Sequence, residues 1–399
     1  MSSTKDRGGN LGTKDRGIAM STSTQTHPDG LPPWIPPAES VHVSELEWAQ
    51  LYTLDLGQVS GDEYDQVPPQ VVRDVGRALS EDGFMYAENH GLSEAHVLRM
   101  FALAQYAFAQ IPLEQKLRFK SDPLNTGSFA GYKQEGHWKV DGVKDRVEQW
   151  NFLTEACTPE QAPKTYPAEL LRYFDEIRAF AQYNHDVILR KILNILSLVL
   201  KVPVDTLWKL SVGDDNFRFA VCHRPPAEEE RAASGVRIQG HTDFGSLTIL
   251  WSQPIASLQV LGSDNQWRHV RHRPNGLVIN IGDLLHFLSG GFFKSTIHRV
   301  IAPPEDQLQY ERVGLFYFAK FNQDLRLTPL DASPLTKGAQ FWQQRIAAGH
   351  PPPTTREWYA LRVSSYGQER GQRSQDGHDH ETIAGEKVTL YNNPRPIQV

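Results

Sequence analysis

His241 and Asp243 stand on either side of Thr242 in the stretch GHTDFGSLTIL, which otherwise alternates like a buried strand. On a strand, residues two apart point to the same face, so this imidazole and carboxylate would project together, as two ligands of one metal ion must. The spacing alone says little: with 15 histidines and 47 acids in 399 residues, a His-x-acid triplet is expected about twice by chance. It does occur twice, and the other copy, His27 with Asp29, falls in a polar leader. What sets the second copy apart is His298, in the β-patterned segment STIHRV. Two histidines and a carboxylate on one face leave adjacent positions open on an octahedral ion. That is the facial triad suited to Fe(II) that must take a cosubstrate and O2 at once. As merely structural groups, the three would be costly polar intrusions into a barrel interior.

Arg312 opens a further alternating run, RVGLFYF. By parity Arg312, Gly314, Phe316 and Phe318 share one face, and Val313, Leu315 and Tyr317 the other. A guanidinium on an otherwise apolar inward face needs an anion, and arginine grips a carboxylate through two parallel bonds.

The elements that must position these groups change character along the chain. Residues 1–45 are polar, rich in Gly, Ser, Thr and Pro, and read as a disordered leader. Residues 46–165 alternate short strands (LYTLDLG, FMYAEN) with helical patterns, the second helix capped by Ser93. Residues 166–203 carry Ile177, Ala181, Ile188, Ile192, Ile195 and Val199 on one side, the pattern of a long amphipathic scaffold helix. Residues 204–325 hold short alternating segments separated by Gly, Pro, Asn or Asp, which suits an antiparallel double sheet or jelly roll. Residues 326–399 return to helix and end in a polar, disordered-looking tail around Gln368–Glu381. The fold class is therefore mixed α+β, a jelly-roll core wrapped by N-terminal and C-terminal helices.

Composition bounds the function classes. The net charge of -6 and pI near 6.2 give no reason to expect nucleic acid or an anionic membrane as partner. Two cysteines, Cys157 and Cys222, are too few for a disulfide scaffold or thiolate metal site and fit a reducing, cytoplasmic compartment. The longest apolar stretch, ILNILSLVL, is too short to cross a bilayer, and the N-terminus has no apolar signal core. Nothing in the chain demands an obligate protein partner.

HTDFGSLTIL, NIGDLLHFLSGGFFKSTIHRV and ERVGLFYF resemble the core of the 2-oxoglutarate/Fe(II)-dependent dioxygenases of the isopenicillin N synthase-like family. EDGFMYAENHGL, AFAQIPLEQKLRF and DRVEQWNF resemble that family's N-terminal segment in order and spacing. The resemblance implies a double-stranded β-helix with iron on His241, Asp243 and His298, and the distal carboxylate of 2-oxoglutarate on Arg312. It implies Fe(II), 2-oxoglutarate and O2 as cofactors. It also implies hydroxylation, desaturation or cyclisation of a small-molecule metabolite, in keeping with specialised metabolism.

Two positions depart from the family pattern. Gly314 stands where a serine normally assists the arginine, and Arg224 where a tyrosine normally precedes proline. One expectation is that Arg224 replaces the lost hydroxyl contacts. The alternatives are an oxidase of the same fold that works without 2-oxoglutarate, or a non-catalytic binding module. Tyr132, His223, Trp251, Phe316 and Phe318 are the expected lining of the substrate pocket.

Overall fold

The computed structural model describes residues 29–59, 67–126, 128–137, 139–140, 143–211, 215–224, 235–365, 372–373 and 379–390. Runs rich in Val, Ile, Leu and aromatic residues form the strands, as side chains that fill a pleated surface should. Those of the barrel are, in chain order, β1 (Thr53–Asp55), β2 (Phe84–Glu88), β3 (Gly131–Lys133), β4 (Val147–Leu153), β5 (Asn216–Cys222) and β6 (Val236–His241). They continue with β7 (Leu247–Trp251), β8 (Leu258–Leu261), β9 (Trp267–His269), β10 (Leu277–Ile281), β11 (His298–Ile301) and β12 (Arg312–Ala319).

Eight of them make a large sheet in the order β1-β2-β10-β7-β12-β5-β4-β3, and four make a small sheet in the order β9-β8-β11-β6. All neighbours are antiparallel except β1 with β2. The two sheets face each other. Phe84, Tyr86, Leu250 and Val278 of the large sheet pack with Leu258, Val260 and Val300 of the small one. This is the jelly roll expected from the short alternating segments.

The other face of the large sheet is covered by helices. Phe217, Phe219, Ile249, Trp251, Ile279 and Leu315 join the main core with residues of α1 (Pro69–Glu81), α2 (Glu94–Ala109), α3 (Phe174–Tyr183) and α4 (Arg190–Val199). Ser93 caps α2, its hydroxyl accepting from the His96 backbone N–H at 3.4 Å. Gly83, at φ +68, turns the chain from α1 into β2 where a Cβ would lie 2.3 Å from the Lys294 carbonyl.

The scaffold helix expected over 166–203 is not one regular α-helix. Residues Asn184–Leu189, between α3 and α4, are wound as π-helix. The extra residue turns Asn184 inward, where Nδ2 donates to the Phe180 carbonyl (2.8 Å) and Oδ1 accepts from Trp251 Nε1 (3.1 Å).

Both ends of the chain correct the expectations. Residues 1–28 of the expected leader lie outside the described residues, but from Asp29 the chain is docked. Leu31 is buried in the core, Trp34 stacks on Phe101 with centroids 4.3 Å apart, and Asp29 accepts from Arg99. Apolar Leu31 and Trp34 give this stretch surface to bury that the polar composition around them hides. The expected polar tail is only partly described. Its residues Gln372–Arg373 and Asp379–Ile383 pair, with Glu386–Leu390, into a three-stranded sheet. Before it, α5 (Asp283–Leu288) follows β10, and α6 (Thr355–Ser365) returns to the barrel. No helix among the described residues is long and apolar enough to cross a membrane.

Candidate metal and cosubstrate site

His241 is the last residue of β6, and Asp243 lies two residues on, in the loop before β7. The strand argument for their shared direction therefore does not apply: the loop, not the pleat, brings them together. His298 opens β11 directly opposite His241. The three ligand atoms lie within 4.8 Å of one another. Asp243 Oδ1 is 3.8 Å from His241 Nε2 and 3.7 Å from His298 Nε2.

The remaining polar atoms of the three side chains face outward and are tied down. His241 Nδ1 sits 2.8 Å from the Gln239 carbonyl, and His298 Nδ1 3.2 Å from that of Thr296. A carbonyl can only accept, so each Nδ1 carries a proton and each Nε2 is the ring nitrogen that faces the centre. Asp243 Oδ2 accepts from Thr248 Oγ1 at 2.7 Å and Asn280 Nδ2 at 2.8 Å. That leaves Oδ1 to face the histidines. Burial, then the neighbouring His298, pushes the His241 pKa down to about 4, so the ring is neutral at pH 7. Burial pushes the Asp243 carboxyl up, but His298, His241, Asn280 and Thr248 outweigh it, and the net shift is downward. Two imidazoles and one carboxylate, each oriented by a second hydrogen bond, fit a divalent iron with open positions.

A residue that sequence reasoning missed locks this loop. Arg362 of α6 is buried and donates through Nη2 to both the carbonyl and the hydroxyl of Thr242, at 3.1 Å each. Its Nε is 3.2 Å from Asp283 Oδ2, and its guanidinium lies 4.3 Å above the Phe244 ring. Asp283 in turn donates its backbone N–H to the Asp243 carbonyl at 2.8 Å. No signal within the HTD segment points to an arginine far along the chain. Asn280 is the one polar residue of the apolar run LVINI, and nothing in that run shows its bond to Asp243.

Arg312 lies where parity placed it. It pairs with Cys222, Gly314 with Ala220, Phe316 with Arg218 and Phe318 with Asn216 across β12 and β5. Ala220 and Cys222 cluster with Val147, Ile238 and Phe316 between the two sheets, so this face looks into the barrel. Arg312 is buried, and its Nε has no hydrogen-bond partner among the described residues. An orphaned guanidinium donor inside a barrel fits an anion that the protein does not supply.

The other expected site residues divide. Phe316 and Phe318 are half-buried on the inner face and stacked 5.7 Å apart, with the Arg218 guanidinium 4.3 Å over Phe318. Tyr132 and Trp251 are not pocket residues. Tyr132 is on the outer face, 5.1 Å from Trp150, with its hydroxyl on Glu148 Oε1 at 2.7 Å. Trp251 is fully buried against Phe180 and His90. Their flat rings fill core, because the neighbouring inward position on each strand belongs to another residue.

His223, just past β5, is also outside the barrel interior. It bridges Glu148 Oε2 (2.7 Å) and Glu311 Oε1 (2.8 Å). Burial lowers its pKa, but the two carboxylates prevail and hold it up at about 9. Arg224 is exposed, the opposite of what a desolvated contact to a buried carboxylate needs. At Gly314 a Cβ would lie 2.5 Å from the Phe316 ring, which occupies the space a side chain there would need.

Comparison with known families agrees with this geometry. The 2OG-Fe(II) oxygenase superfamily model matches residues 217–320, the segment that contains the three candidate ligands and Arg312. Those residues carry the domain of this superfamily. The N-terminal model described as non-haem dioxygenase in morphine synthesis matches residues 52–170. The protein is thus an Fe(II)- and 2-oxoglutarate-dependent dioxygenase with O2 as co-substrate.

Relatives of this oxygenase include a homoarginine-6-hydroxylase from Oryza sativa subsp. japonica, 29% identical over 280 residues, or 66% of this chain and 81% of the relative. A leucoanthocyanidin dioxygenase from Petunia hybrida is 27% identical over 270 residues, or 65% of this chain and 59% of the relative. Among solved structures, a full-length Neurospora crassa protein in complex with alpha-KG superposes with a TM-score of 0.65 at 21% identity, covering 79% of this chain and 96% of that one. That likeness shows a shared fold.

Proposed function

We propose that His241, Asp243 and His298 hold the Fe(II) of this dioxygenase, that Arg312 binds the distal carboxylate of 2-oxoglutarate, and that the substrate is a small organic metabolite. The observation that carries the reading is the convergence of three ligand atoms within 4.8 Å, with their other polar atoms tied back. The chemistry supplied by the bound iron and oxo acid is O2 activation coupled to oxidative decarboxylation of the cosubstrate.

The chain's own residues bind, orient and exclude. Thr248 and Asn280 hold one oxygen of Asp243 so that the other stays aimed at the centre. Arg312 sets the far end of the cosubstrate and thereby the orientation of its oxo acid end. Phe316 and Phe318 continue the same inward face and would line the substrate side, keeping water from the reacting carbon. Hydroxylation, desaturation and ring closure all begin with removal of hydrogen from a positioned C–H bond, and all three are compatible with this arrangement. The named relatives act on homoarginine and on leucoanthocyanidin, which supports a small-molecule substrate of specialised metabolism. We place the enzyme in the cytoplasm without an obligate protein partner. Its two cysteines, neither in a disulfide, support the reducing compartment.

The test is anaerobic Fe(II) titration of the apoprotein followed by metal analysis. One iron per chain is expected, lost in His241→Ala, Asp243→Ala and His298→Ala. Full iron binding in all three variants would overturn the assignment.

A further inference from the structure

Arg312 stands at the end of its strand, where a sheet is weakest. It is the first residue of β12, Cys222 opposite it is the last of β5, and Val147 opposite Cys222 is the first of β4. Strand ends open locally at little cost in free energy. An arginine that grips a carboxylate through two bonds must nevertheless be held in one place. The last backbone rung alone does not supply that.

The outer face of the sheet carries a cluster at this end. Alternation turns Arg312 and Cys222 inward and their neighbours Glu311 and His223 outward, and the register that pairs Arg312 with Cys222 carries on to set Glu311 opposite His223. The His223 ring spans the strands, with Nδ1 2.8 Å from Glu311 Oε1 and Nε2 2.7 Å from Glu148 Oε2 of β4. With its pKa held up at about 9, the ring is protonated at pH 7 and donates to both carboxylates. Its backbone N–H donates to the Arg146 carbonyl at 2.8 Å. Glu148 is buried, and its other oxygen accepts from Lys116 Nζ and from the Tyr132 hydroxyl of β3. Lys116 Nζ also donates to the Phe108 carbonyl of α2 at 3.0 Å. One ring thus stitches β4, β5 and β12 together and fastens them to the helical layer. Such an ionic cluster adds little net stability over apolar side chains of the same size, so its contribution is fixed geometry.

We infer that His223, through Glu148 and Glu311, is a positioning residue for the cosubstrate: it holds the ends of β4, β5 and β12 closed so that Arg312 meets the distal carboxylate of 2-oxoglutarate. The inference rests on the reading of Arg312 above. An Arg312 on an opened strand end is not competent to bind, and apparent affinity falls with the competent fraction. An oxo acid without the distal carboxylate does not use Arg312 and is indifferent to the cluster.

The experiment is anaerobic calorimetric titration of the Fe(II) protein with 2-oxoglutarate and, in parallel, with 2-oxopentanoate, which keeps the chain length and lacks the distal carboxylate. His223→Gln should weaken 2-oxoglutarate binding by about 3- to 10-fold and leave 2-oxopentanoate binding within about twofold. His223→Arg, which keeps a cation with donors for both carboxylates, should recover part of the loss. Glu311→Gln, at an exposed position, should show the same selective loss and serves as the test where His223→Gln does not fold. A lower melting temperature with unchanged discrimination between the two acids, or equal loss for both, would make the cluster structural and overturn the inference. If the His223 and Glu311 variants discriminate as the parent does while Arg312→Ala does not, this inference falls and the Arg312 assignment stands. If Arg312→Ala also discriminates as the parent does, both fall.

Discussion

Arg362 and Thr242 are joined by two 3.1 Å hydrogen bonds, to the carbonyl and to the hydroxyl of the residue that separates the two proposed ligands of the HTD segment. The C-terminal helix thus holds the loop on which Asp243 depends, and Asp283 closes the arrangement from the other side. Arg362→Ala is expected to lower Fe(II) affinity by about 10- to 100-fold while leaving the helix content unchanged by circular dichroism. Anaerobic metal titration checks it, and Arg362→Lys, which keeps the charge but not the fork, should recover only part.

Asn280 and Thr248 both donate to Asp243 Oδ2. Removing either donor frees the carboxylate to rotate. Asn280→Ala and Thr248→Val should each weaken iron binding by about tenfold or more, and the double variant by less than the product of the two, because both act on one oxygen. Strict multiplication of the two effects would argue that they act separately.

His223 provides a pH dependence of stability through its contacts with Glu148 and Glu311. Its folded pKa of about 9 lies above the unfolded value, so folding favours the protonated ring. The stabilisation is fully present below about pH 6.5 and is lost as pH rises through about 9. It amounts to about 1–3 kcal/mol. The melting temperature should fall between pH 7 and pH 9.5, and the fall should be smaller in Glu311→Gln, which removes one of the two carboxylates. An identical slope in both proteins would contradict this account.

Trp251 is core, and its replacement should read as such. Trp251→Ala is expected to cost about 3–5 kcal/mol of stability and to leave 2-oxoglutarate affinity unchanged at a temperature where the variant is folded. Denaturant unfolding and ligand titration together separate this from a pocket role.

The parts of the site that were legible in the sequence are those set by local chemistry. His241, Asp243 and His298 declared themselves by residue type, and Arg312 by its place in an alternating run. Phe316 and Phe318 followed from the same parity, which β12 obeys because its register is unbroken and it is paired on both sides. Parity failed where the backbone leaves regular geometry. Asp243 is in a loop, and β6 slips twice in its register with β11. Trp251 and Tyr132 were misplaced because an aromatic side chain carries no mark of which face it fills. Arg362 could not be found locally, since its role arises only when α6 folds back onto the HTD loop. The docking of Leu31 and Trp34 was masked by the polar residues around them.

The central claim is that one pocket holds iron through the triad and a dicarboxylate oxo acid through Arg312. Its most direct test is to load the apoprotein with Fe(II) without oxygen, titrate in 2-oxoglutarate, and record the visible charge-transfer band of the chelated oxo acid. The account predicts a saturable band in the parent protein and a large rise in the half-saturating concentration in Arg312→Ala. Stoichiometric iron with no band, or a band indifferent to Arg312, would contradict it.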